Sequence, residues 1–191
     1  MTRQALIGDI GGTNARFALV SPGKTAPHDI LTLPCADYPG VVEAARDYLE
    51  RVGASGEKAP REACLAFACP VHAERVSMSN NHWSFLKGEV KRDLALDDFK
   101  VINDFMAQAL GVPHVDSHDL VSIQTGEAEG HAARLVIGPG TGLGMAGLFP
   151  ARRAWVPLPN EGGHASFAPT DEQELEIYRR LHRRYGRVSV E

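Results

Sequence analysis

The stretch "LIGDIGGTNARFALV", Leu6 to Val20, decides the fold. Two apolar runs flank a polar centre of Asp9, Gly11, Gly12, Thr13 and Asn14. That pattern predicts strands over Ala5–Asp9 and Arg16–Val20, joined by a Gly-Gly turn. A plain hairpin accounts for the glycines. It does not account for a carboxylate at the end of an apolar strand. The same pattern returns at Leu135–Phe149, where "LVIGPGTGLGMAGLF" again reads as apolar strand, glycine-rich turn, apolar strand. This is a structural echo at long spacing, not a short tandem repeat.

Between the two echoes the order of elements is informative. A third short strand is expected at Asp29–Leu33. Tyr38–Val52 carries Val41, Val42, Ala45, Tyr48, Leu49 and Val52 at helical period. "ACLAFACP", Ala63–Pro70, is a continuous apolar run, as in a strand buried on both faces. Glu74–Met78 predicts a short strand, Leu86–Leu94 a helix, "FKVIND" (Phe99–Asp104) a strand and Phe105–Leu110 a helix. "LVSIQ", Leu120–Gln124, reads as one more strand. Asp171–Tyr185 predicts an amphipathic helix with Leu175, Tyr178, Leu181 and Tyr185 on one stripe. Strands and helices in this order imply an α/β fold: mixed sheets led by an antiparallel hairpin meander, with helical crossovers. The expected division is a first domain over residues 1–115 and the beginning of a second over 116–191.

Composition narrows the function classes. Of 191 residues, 43% are hydrophobic and 23% charged, as in an ordinary globular protein. A net charge of -4 argues against a general nucleic-acid or membrane-surface binder. The basic cluster Arg179–Arg187 reads as a solvated helix face. The odd set Cys35, Cys64 and Cys69 has no zinc-ligand spacing and suits free thiols in a reducing compartment. No signal sequence or run of eighteen apolar residues is visible, so the cytoplasm is the expected location and no membrane partner is expected.

Three constellations carry chemistry. Glycine turns expose backbone N–H groups that can approach a phosphate closely. Neither turn here contains G-x-x-x-x-G-K-[ST]. Neither fits G-x-G-x-x-G, because Met145 stands where a glycine is needed and no helix follows. Two such turns, each bearing a Thr, could clamp a polyphosphate from two sides. Asp9 would then hold Mg²⁺, through water; the alternative is an Asp that caps its own turn. Asn103 and Asp104 close an apolar strand, where catalytic groups emerge from an α/β sheet. Asp104 could take a proton from an attacking hydroxyl; the alternative is a helix cap. In "NEGGHASF", Glu161 and His164 could accept from and donate to sugar hydroxyls, or could be incidental loop residues. The polar-aromatic stretch "SNNHWSF", Ser79–Phe85, could line a sugar cleft, with Trp83 assigned to packing.

"GDIGGTNAR", "MSNNHWSF", "INDF", "GPGTGLG" and "PNEGGHASFAP" together resemble, in order and spacing, the bacterial glucokinases of the sugar-kinase/actin/heat-shock-chaperone superfamily. The resemblance runs the whole length of the chain. It implies two ribonuclease-H-like domains with a cleft between them, ATP lying across both glycine turns and a hexose in the cleft. It implies phosphate contacts from Gly8, Asp9, Gly11, Gly12, Thr13 and Asn14, and from Gly140, Thr141 and Gly142, with Mg²⁺ near Asp9. It implies Asp104 as the base on the sugar 6-hydroxyl, and Asn103, Asp104, Glu161 and His164 as sugar ligands. "RVSVE" resembles the segment that supplies one more ligand, Glu191. The implied reaction is ATP-dependent phosphorylation of glucose, in a protein that is a homodimer at full family length. Family members continue well beyond residue 191, so the expectation is a second domain present only in part. Rival readings are a kinase for another hexose, a non-catalytic sugar sensor, and an inactive fragment of a hexokinase-fold protein.

Overall fold

The computed structural model describes residues 4–127, 129–140, 142–152 and 154–191. Contacts divide the chain into two compact units, residues 1–107 and 108–191.

The first unit is built on five strands: β1 (Ala5–Ile10), β2 (Asn14–Val20), β3 (Pro27–Pro34), β4 (Glu62–Phe67) and, after two short strands, β7 (Asp98–Asn103). Their order across the sheet is β3-β2-β1-β4-β7. The pairs β1–β2 and β2–β3 are antiparallel, whereas β1–β4 and β4–β7 are parallel. A parallel neighbour needs a crossover, and helices α1 (Val41–Arg51) and α2 (Lys87–Asp93) stand in the two crossovers. Strands β5 (Arg75–Ser77) and β6 (Ser84–Leu86) pair with each other beside the main sheet.

Periodicity explains the packing. Helix α1 buries Val41, Ala44, Ala45, Tyr48 and Leu49, which recur on one face. It stops at Val52 and Gly53, the latter left-handed at φ 67°. The core joins this face to Leu6, Ile10, Phe17, Leu65 and Phe67 from the sheet and to Trp83. The rings of Phe17 and Tyr48 stack at 5.4 Å. Full burial of each such apolar side chain is worth about 1.5–3 kcal/mol. Trp83 is 1% exposed and donates Nε1–H to the Tyr38 carbonyl at 3.1 Å, the packing role its sequence context suggests.

Helix α3 (Asp104–Gly111) follows β7 directly. The second unit has an antiparallel sheet of β8 (Arg134–Pro139), β9 (Leu143–Ala151) and β10 (Ala154–Asn160), in the order β10-β9-β8. The echo of the first hairpin is therefore β8–turn–β9. Helix α4 (Glu172–Tyr185) is capped by Asp171, which accepts from the Glu174 N–H at 2.8 Å. Residues 188–191 return along residues 163–167 through backbone bonds Phe167 N–H to Val188 and Glu191 N–H to Gly163, each 3.0 Å.

One expectation is corrected. "LVSIQ" forms no strand: Leu120, Val121 and Ile123 are 62%, 88% and 98% exposed. Its apolar pattern has no neighbouring strand to pair with among the described residues. The Leu175–Tyr185 stripe lies on a helix as expected, but that helix buries none of its residues. Strands β6 and β10 were not expected from the sequence. Among the described residues no helix is long and apolar enough to cross a membrane.

Candidate active site

The first glycine turn joins β1 to β2. The Gly11 N–H bonds the Asn14 carbonyl at 2.9 Å, which closes the turn. The N–H groups of Gly12 and Thr13 have no partner among the described residues. Two adjacent unpaired donors at a glycine turn are groups that can meet an anion. The turn is braced from behind. Asn81 Nδ2 donates to the Gly11 carbonyl at 3.1 Å, and the Cys35 N–H donates to the Thr13 carbonyl at 2.8 Å. A Cβ on Gly12 would lie 2.9 Å from Asn80 Cγ and 3.0 Å from the Asn80 carbonyl oxygen, so a side chain here would have to push Asn80 aside. Gly11 has no such constraint. Gly8 serves packing: a Cβ there would sit 2.8 Å from Leu65 Cδ2 inside the sheet. Thr13 and Asn14 are exposed at the turn. The bracing by Asn80, Asn81 and Cys35 escaped sequence reading, and the polar run "SNN" was its only trace.

Asp9 is the penultimate residue of β1, beside this turn. Its carboxylate is 64% exposed and lies 3.9 Å from Arg16 Nη1, its cross-strand partner. That loose, solvated pair contributes little stability, so the carboxylate keeps lone pairs to offer. Nothing in the turn is capped by its side chain among the described residues. The residues therefore fit an ion held through water.

Asn103 and Asp104 sit where β7 passes into α3. Asn103 Oδ1 accepts from the N–H groups of Phe105 at 3.0 Å and Met106 at 3.4 Å. The helix cap is thus mainly Asn103. Asp104 Oδ1 accepts the Phe105 N–H at 2.9 Å. Partial burial pushes the Asp104 carboxyl above the usual carboxylate range, and the negative charge of Asp9 adds to this. The N–H of Phe105 and the Asn103 side chain pull the other way without cancelling it. A carboxylate with raised proton affinity is a better general base.

In the second unit the 138–144 turn, the "NEGGH" segment and the chain end converge. Gly140 N–H bonds the Gly142 carbonyl at 2.8 Å. Thr141 lies outside the described residues. Glu161, His164 and Glu191 form one cluster: His164 Nδ1 is 3.4 Å from Glu161 Oε2, and Nε2 is 2.9 Å from Glu191 Oε2. The Leu143 N–H donates to Glu191 Oε1 at 3.2 Å. Glycines make the convergence possible. A Cβ on Gly142 would lie 1.8 Å from Glu191 Oε1, and one on Gly163 would lie 2.2 Å from the Leu143 carbonyl oxygen. The cluster offers carboxylate acceptors and an imidazole, with Glu161 80% exposed. That set can both donate to and accept from hydroxyl groups.

Comparison with known proteins agrees with these motifs. The glucokinase family model matches residues 6–191. The glucokinase of Chromohalobacter salexigens is 61% identical over 191 residues, all of this chain and 59% of that protein. The crystal structure of a glucokinase from an Antarctic psychrotroph superposes with a TM-score of 0.88 at 35% identity, over 100% of this chain and 60% of the other. A ROK family glucokinase from Streptomyces griseus, solved with glucose and AMPPNP, shares the fold at a TM-score of 0.57 and 20% identity, over 96% of this chain and 62% of the other. The chain thus spans about three fifths of the length of the relatives it matches. Strand order and these likenesses identify the fold as ribonuclease-H-like, of the actin-like ATPase type. With the family model covering all but its first five residues, the chain belongs to the glucokinase family.

Proposed function

We propose that the protein phosphorylates glucose on its 6-hydroxyl with ATP as donor. The observation that carries this reading is Asp104. It is a half-buried carboxylate of raised proton affinity at the C-terminal end of a parallel strand, and no cation pairs with it among the described residues. Asp104 accepts the proton of the 6-hydroxyl as that oxygen attacks the terminal phosphorus. Such a base contributes about 10²–10⁴ in rate. Asn103 holds the start of α3, and with it the direction in which Asp104 points. Glu161, His164 and Glu191 bind further sugar hydroxyls, in the fixed donor and acceptor directions of the cluster.

The open N–H groups of Gly12 and Thr13 receive phosphate oxygens, and the turn of Gly140, Thr141 and Gly142 does the same in the second unit. Asp9 would hold Mg²⁺ through water; when bound, the ion supplies positive charge against the phosphates. The remaining chemistry is positioning and exclusion of water, which competes with the sugar as acceptor. The reading carries with it a cytoplasmic location and a homodimer at full family length.

Calorimetric titration with glucose and with Mg-ATP tests it, followed by assay for the product. The expected result is a binding heat for each and glucose 6-phosphate when both are present. Glucose binding with no ATP-dependent product would favour a sugar sensor instead.

A further inference from the structure

The register between β2 and β3 slips: Phe17 faces Leu31, but Leu19 faces His28. Two steps on β2 match three on β3, which is a β-bulge. Within it Asp29 has φ 51°, in the left-handed region. A non-glycine residue held there often marks a functional site. In a regular strand adjacent side chains point to opposite faces, so His28 and Asp29 would not meet. Here His28 Nδ1 lies 3.0 Å from Asp29 Oδ2. The other ring nitrogen, Nε2, lies 3.1 Å from Ser21 Oγ, at the end of β2. The arrangement is braced from the core, because the buried Tyr48 of α1 donates its hydroxyl to the Asp29 carbonyl at 2.9 Å. Serine, imidazole and carboxylate are thus linked in the order that activates a serine nucleophile.

Ser21 lines a cavity of about 420 Å³ together with Lys24, Arg61 and Glu62. That volume suits a small ligand. Arg61 is engaged by Asp97 at 2.6 and 2.9 Å, whereas Lys24 has no ion pair among the described residues. A free ammonium group is therefore among the groups that line this cavity.

We propose that Ser21, His28 and Asp29 form an acyl-transfer site that takes a short-chain acyl group from a small ester. Asp29 accepts the Nδ1–H of His28 and fixes the tautomer whose Nε2 accepts the Ser21 proton. Ser21 Oγ bonds to the ester carbonyl carbon as its proton passes to Nε2. The bond from that carbon to the alcohol oxygen breaks, and the alcohol leaves with the proton from Nε2. Water then attacks the acyl-serine by the same route, which releases the carboxylic acid and restores Ser21. None of these three residues belongs to the sugar-kinase assignment, and the inference stands or falls apart from it.

The test is incubation with a fluorophosphonate probe and, separately, with p-nitrophenyl acetate, with the adduct located by peptide mass spectrometry. The expected result is one adduct, on Ser21, absent from Ser21→Ala. His28→Ala and Asp29→Asn should react about tenfold or more slowly. Asn tolerates the left-handed backbone, so Asp29→Asn removes the charge and keeps the bulge; thermal melting checks that each variant is folded. No adduct, an adduct elsewhere, or parent-rate labelling in folded His28→Ala or Asp29→Asn would overturn the proposal.

Discussion

Asp104 illustrates how a single carboxylate is set apart from its neighbour. Asn103 satisfies the orphan N–H groups that open α3, so Asp104 is released from most of the capping duty. Its burial and the charge of Asp9 then raise its proton affinity in the folded state. A carboxyl whose folded pKa is raised binds protons more tightly in the native state than in the unfolded one. It therefore costs stability as pH rises from the ordinary carboxylate pKa through the raised folded one, and the cost is complete at neutral pH. Asp104→Asn removes that cost and keeps an oxygen for the Phe105 N–H. The variant should melt at a higher temperature than the parent at pH 7. The advantage should vanish once the pH falls below the ordinary carboxylate pKa, and melting curves across pH measure it. Asp104 was legible in the sequence as a strand-terminal acid, with a helix cap as the structural alternative. The Ser21–His28–Asp29 chain was not, because a strand's alternation separates residues 28 and 29 until a bulge reunites them.

At the scale of elements, glycines set the distances. Gly163 lets "NEGGH" press against the backbone of Leu143, whereas Gly142 makes room only for the movable end of Glu191. The two positions should respond differently to alanine. Gly163→Ala forces backbone apart and should cost about 1–3 kcal/mol, seen as a lower denaturation midpoint. Gly142→Ala displaces the Glu191 carboxylate and should weaken glucose binding with stability changed by less than about 0.5 kcal/mol. The β8–turn–β9 hairpin was legible because apolar strands flank an unmistakable glycine run. Strand β10 was not, because Pro157 and Pro159 argue against a strand. They are tolerated there because β10 is an edge strand, where a missing N–H can face away from the ladder. "LVSIQ" failed in the opposite way: local pattern suggests a strand, but a strand exists only where a neighbour completes its hydrogen bonds.

At the scale of the whole molecule, the first unit carries nearly the entire buried core, while the second exposes an apolar sheet face. Leu135, Ile137, Phe149, Val156 and Leu158 are all about half exposed, and the register sets them side by side across β8, β9 and β10. The fold class was legible because it follows from element order, which hydrophobic period reports. The face was not, because period says which side of a strand is apolar and not what covers it. The candidate site was read from five motifs; the contacts that brace its first turn, Asn81 to Gly11 and Cys35 to Thr13, join segments far apart in sequence. The functional account rests on Asp104 as the group that accepts the sugar proton. Glucose 6-phosphate formation by the protein and its Asp104→Asn variant tests this most directly, with glucose affinity measured alongside. The account predicts ATP-dependent product from the parent, and a variant that binds glucose with similar affinity but turns over about a hundredfold or more slowly. Near-parental turnover in the variant would contradict it.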